Sequence, residues 1–77
     1  MSRRRPARAA TPAYLERVAL WYLERYPGSV ARVRRVLERR VRRSVEELAT
    51  DPAEGAAAIE AVLGKLARLG YLDDQRL

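Results

Sequence analysis

Seven arginines stand between Arg32 and Arg43 in the stretch SVARVRRVLERRVRR, with Glu38 as the only acid among them. A guanidinium stays charged at any physiological pH and presents a planar fork of donors to phosphate or carboxylate. The chemistry this stretch offers is therefore anion binding, not bond making. Nothing else in the chain turns it toward catalysis. There is no histidine and no cysteine, which removes the common nucleophile–base pairs, disulfides and zinc ligand sets. The four glycines are isolated and form no phosphate-cradling loop. Glu46-Glu47 sits within a helical pattern, and Asp73-Asp74 reads as the start of a helix, where carboxylates meet a positive dipole end. The sequence predicts no enzyme, no cofactor and no metal site.

The net charge of +6 is unevenly spread over the 77 residues. Arg3, Arg4, Arg5 and Arg8 give +4 before Thr11, which leaves only +2 for the rest of the chain. The chain is thus dipolar, with a basic tail, a basic middle and an acidic C-terminal half, and is unlike a uniformly basic nucleic-acid binder. No apolar run approaches the roughly 20 residues that span a bilayer, and the basic N-terminus is followed by no apolar signal-peptide core. A cytoplasmic protein without a membrane segment is expected, and a monomer.

Three helices must position the arginines. Residues 1–10 lack apolar periodicity and are expected to be a disordered basic tail. Thr11-Pro12 provides an N-cap and a first-position proline for a helix over about 12–26. Leu15, Val18, Ala19, Tyr22 and Tyr26 follow at helical spacing. Leu20, Trp21 and Leu23 widen the apolar surface, so this helix is expected to be the central one. Ser29 caps a second helix over about 29–48, whose stripe of Val30, Val33, Leu37, Val41, Val45 and Leu48 faces inward; SVEE from Ser44 offers a point where it could break. At 100° per residue, Arg32, Arg35, Arg39, Arg42 and Arg43 fall within an arc of about 100° opposite that stripe. Arg34 and Arg40 lie at its border, where their methylene stems can cover the core edge. Asp51, Pro52 and Glu54 open a third helix over about 52–69 with Ile59, Val62, Leu63, Leu66 and Leu69 inward, and Gly70 stands where a left-handed cap would end it. Residues 73–77 look like a fourth helix cut short. The fold class is all-α, one three-helix module over 11–72. Trp21, Tyr14, Tyr22, Tyr26 and Tyr71 are expected in the core or at its edge, because no aromatic interrupts the arginine cluster as a base-stacking surface would require.

The segments ALWYLERYPGSVARVRRVLERRV and IEAVLGKLARLGYLDDQRL resemble the opening module of the bacterial RecX regulators. Ala19, Leu23, Ser29, Val33, Arg34, Leu37, Ile59, Leu63, Leu66, Gly70, Leu72, Asp73 and Asp74 stand where that pattern expects them. Arg32 replaces its usual glutamate, Val36 a common lysine and Val41 a glycine, and the connection from Arg42 to Asp51 is longer. The resemblance implies the first of several tandem three-helix modules. It also implies a non-enzymatic role in recombination, DNA repair and the SOS response: binding the RecA filament on DNA and modulating, usually restraining, its activity.

On this reading Arg32, Arg35, Arg39, Arg42 and Arg43 dock electrostatically on the RecA filament or on the DNA it encloses, with Arg3, Arg4 and Arg5 as a flexible auxiliary. The competing reading is a helix-turn-helix transcriptional regulator, with the basic second helix in a major groove. The absence of asparagine and glutamine from that helix weighs against it.

Overall fold

The computed structural model describes residues 9–26 and 29–72. Three helices pack together: α1 (Pro12–Arg25), α2 (Val30–Glu46) and α3 (Pro52–Arg68). Each starts on the residue whose side chain suits the task. The Thr11 hydroxyl accepts from the Tyr14 N–H at 3.2 Å, and Ser29 Oγ from the Arg32 N–H at 3.3 Å. Asp51 Oδ2 accepts from the N–H groups of both Ala53 and Glu54. These bonds satisfy donors that the first turn of a helix leaves without intrahelical partners.

α2 and α3 end in the same way. In α3 the Gly70 N–H donates to Ala67 O and the Tyr71 N–H to Leu66 O, with Gly70 at φ +84°. In α2 the Leu48 N–H donates to Val45 O and the Ala49 N–H to Ser44 O, with Leu48 at φ +60°. Both are Schellman caps. α3 fills the left-handed position with glycine and α2 fills it with leucine. This corrects the expected inward stripe of α2: the helix stops at Glu46 without breaking at Ser44, and the left-handed turn leaves Leu48 92% exposed.

One core joins the helices. Leu15, Val18, Ala19 and Leu23 from α1 meet Val33, Leu37 and Val41 from α2, and Ala58, Ile59, Val62, Leu63 and Leu66 from α3; Leu72 closes it from beyond α3. α3 buries six residues against four from α1, so α1 is not the most enclosed helix. Leu69, expected inward, is exposed. α2 and α3 approach closely enough that a Cβ on Gly55 would stand 2.5 Å from Val41 Cγ1. At the end of the bundle where α1 begins, the buried Ser44 hydroxyl hydrogen-bonds the Thr50 hydroxyl, which accepts from the Ala10 N–H at 2.7 Å. Ala10 is itself buried, so the packed part begins ahead of the expected boundary at Thr11. The first eight residues, Pro27-Gly28 and the expected start of a fourth helix at 73–77 lie outside the described residues.

Candidate binding face

Three side-chain clamps define the edges of the bundle. Between α1 and α2, Arg40 Nη1 donates to the Tyr14 hydroxyl at 2.8 Å. Between α2 and α3, Arg34 grips Glu60 with both terminal nitrogens, the second at 3.2 Å. Between α1 and α3, Lys65 Nζ donates to Glu16 Oε1 at 3.0 Å. The Arg34 hydrogen bonds hold the Glu60 carboxyl below the usual carboxylate range, and the same contact raises Arg34 further. The two arginines that border the stripe of α2 thus reach in opposite directions to its two neighbours. They fix which side of the helix remains in solvent.

Arg32, Arg35, Arg39, Arg42 and Arg43 are all exposed on that remaining side. Arg43 Nε lies 3.6 Å from Glu47 Oε2, one turn on. Arg32, Arg35, Arg39 and Arg42 have no ion-pair or hydrogen-bond partner for their side chains among the described residues. A shallow hollow runs between Arg39, Arg40, Arg42, Arg43, Glu46 and Glu47. Four exposed guanidinium groups that find no partner among the described residues, on one helix, form a surface that attracts anions through summed potential. Like charges three and four residues apart disfavour the helix by a few tenths of a kcal/mol per pair. Arg32 adds a cation in the first turn of α2, where the helix dipole disfavours it. Arg3, Arg4 and Arg5 lie outside the described residues.

The Arg40–Tyr14 contact also decides how α1 and α2 are arranged. Tyr14 is near the start of α1 and Arg40 is in the last half of α2. At 1.5 Å per residue each lies roughly 15–20 Å from the connecting turn. Helices crossing at the 90–120° of a helix-turn-helix would hold those positions too far apart to touch. α1 and α2 are an antiparallel pair, and they do not form that corner.

The aromatic residues differ from expectation. Tyr14 and Tyr22 are half-buried at the core edge, but Trp21 is 54% exposed and Tyr26 and Tyr71 are also exposed. The Arg25 guanidinium lies 4.2 Å from the Trp21 ring centroid, and its Nη1 donates to Trp21 O at 3.3 Å. The Tyr22 and Tyr26 rings meet in a tilted contact, their centroids 5.1 Å apart. Apolar content alone placed Trp21 inside. The signal against it was its spacing from Tyr14, seven residues, which repeats an edge position and not a core one. Among the described residues no group of three or more acids, histidines or cysteines could hold a metal ion, and no helix is long and apolar enough to cross a membrane.

Comparison with known proteins decides the family. The chain is 43% identical over 68 residues to the regulatory protein RecX of Myxococcus xanthus, a match that covers 88% of this chain and 36% of the relative. The chain is a RecX-family segment. It spans about a third of the length of that curated relative. No protein-family model and no solved structure matches it. The RecX-family pattern that the sequence carries maps onto the core: Ala19, Leu23, Val33, Leu37, Ile59, Leu63, Leu66 and Leu72 are all buried. The exposed arginines of α2 lie outside that pattern, whereas the half-buried Arg34 belongs to it.

Proposed function

We propose that the chain acts within a RecX-type, non-enzymatic regulator of recombination and DNA repair, which binds the RecA–DNA filament and restrains it. The observation that carries this reading is the 43% identity to a protein named as a RecX regulator. The exposed guanidinium groups on α2 support it. Arg32, Arg35, Arg39, Arg42 and Arg43 supply electrostatic docking, with Arg3, Arg4 and Arg5 as an auxiliary, and the chain works as one of several tandem modules. Each module binds weakly, and linked modules multiply that affinity through effective concentration. The setting is the cytoplasm, and the module is monomeric.

The test is fluorescence anisotropy of labelled single-stranded DNA coated with RecA and a non-hydrolysable nucleotide, titrated with this chain and, as a reference, with the full-length Myxococcus relative. Binding of both, the longer protein the tighter, supports the reading. Substituting Arg35, Arg39 and Arg42 by glutamine should then weaken the chain's binding at least several-fold while leaving its melting temperature unchanged or slightly raised. No binding of the chain to the coated strand, or binding that the triple variant retains in full, rejects the assigned docking face.

A further inference from the structure

The three clamps allow the α1–α2 edge to be read as a surface in its own right. Trp21 follows Tyr14 by seven residues, so it lies within about 20° of Tyr14 around α1, on the side that meets α2. Because the helices run antiparallel with Tyr14 against Arg40, helical rise sets Trp21 level with the first turns of α2, which carry Arg32 and Val36. Arg32, Val36, Arg39 and Arg43 all lie within about 100° of Arg40 around α2, whereas Glu38 lies about 160° away. The edge therefore presents an exposed indole, with Arg25 already over its ring, next to a line of arginines. Its carboxylates are peripheral: Glu24 is 4.0 Å from Arg25 Nη1, and Glu46 and Glu47 stand at the far end of α2.

We propose that this edge binds single-stranded nucleic acid, one base stacking on Trp21 while the flanking phosphates track Arg32, Arg39 and Arg43. The inference rests on reading the α2 arginines as a binding face, but not on RecA. Charge complementarity favours any polyanion here; the exposed indole selects among them. Every base offers a π face to an aromatic ring, whereas a carboxylate gains nothing from one. A base that takes the guanidinium's place over the ring releases Arg25 toward the adjoining phosphate. The position of Arg32 fits the same use. A cation at the first turn of α2 is unfavourable for the helix, and that turn is the end of α2 level with Trp21 in the antiparallel pair.

Trp21 is the chain's one tryptophan, so its emission reports on the site directly. Titration of the chain with oligo(dT), without RecA, should quench that emission saturably, and the binding should weaken as salt rises. Trp21→Leu should weaken binding about 10-fold by anisotropy, with the circular dichroism and melting temperature of the parent retained. Arg32→Glu restores a capping partner for Ser29 and should raise the melting temperature while it lowers affinity, a combination that misfolding cannot produce. Oligonucleotide binding without quenching, or unaffected by Trp21→Leu, would overturn the proposal. So would failure to bind oligo(dT), including the case in which polyglutamate binds in its place and identifies an acidic polypeptide as the partner. The RecA-coated strand separates the two ideas: stacking on oligo(dT) with no affinity for the filament upholds this site and removes the filament reading, and the converse result removes this site alone.

Discussion

Arg40 donates from Nη1 to the Tyr14 hydroxyl at 2.8 Å, and this bond joins the basic helix to the first. It separates one arginine of α2 from its neighbours by role. Tyr14→Phe removes the acceptor and should lower stability by about 0.5–1.5 kcal/mol. Arg39→Gln, one residue away on the exposed side, should leave stability within about 0.5 kcal/mol. Chemical denaturation of the two variants beside the parent checks the contrast. An equal loss in both would mean that Arg40 is as loosely held as Arg39.

The Arg34–Glu60 clamp makes stability depend on acid. Glu60 ionises more readily folded than unfolded, because Arg34 hydrogen-bonds its carboxylate. Its contribution is therefore present above the ordinary glutamate pKa of about 4.3 and is lost as pH falls below that through the depressed folded value. Glu60→Gln should flatten this acid limb and leave little difference from the parent at the lowest pH. Melting temperatures across the acid range measure it.

Gly55 and Gly64 are both in α3, yet alanine should act oppositely at the two. At Gly55 the new Cβ meets Val41 Cγ1 at 2.5 Å, on a β-branched side chain with little rotamer freedom. Overpacking of that kind costs about 1–3 kcal/mol, more than the gain of up to about 1 kcal/mol from replacing a helical glycine. At Gly64 the nearest atom is Arg68 Nη1 at 3.7 Å, so only the helix-propensity gain of about 1 kcal/mol remains. Adding Val41→Ala to Gly55→Ala should recover part of the loss if the clash is its cause. Thermal melts of the three variants decide the matter.

Leu48 adopts a left-handed conformation that costs a side-chain-bearing residue about 1–2 kcal/mol. It buries almost nothing in return. Leu48→Gly relieves the strain but loosens the unfolded chain, which offsets about 0.4–1 kcal/mol. The net expectation is a stabilisation of about 0.5–1 kcal/mol, read by urea denaturation.

Much of the fold was legible because its signals are local. Thr11, Ser29 and Asp51 cap helices by reaching their own first turns, and Gly70 ends α3 through its own backbone freedom. The periodic apolar residues Leu15, Val33, Leu37, Ile59 and Leu66 went to the core because helical geometry fixes which face they share. Leu48 escaped this logic. The pattern of α2 continues through it, but the Schellman turn at Glu47 ends the helix first and swings it into solvent.

The sequence by itself determined three amphipathic helices, the exposed arginine arc of Arg32, Arg35, Arg39, Arg42 and Arg43, and the RecX-like pattern of buried residues. Periodicity and capping act within a few residues of one another, so one chain suffices to read them. Only the tertiary structure decided that Arg34 and Arg40 are clamps, that Ser44, Thr50 and Ala10 share one hydrogen-bond relay, and that Trp21 stands exposed with Arg25 over its ring. Those relations join residues as much as 40 positions apart. They arise where two helices meet, and neither helix encodes its neighbour's register.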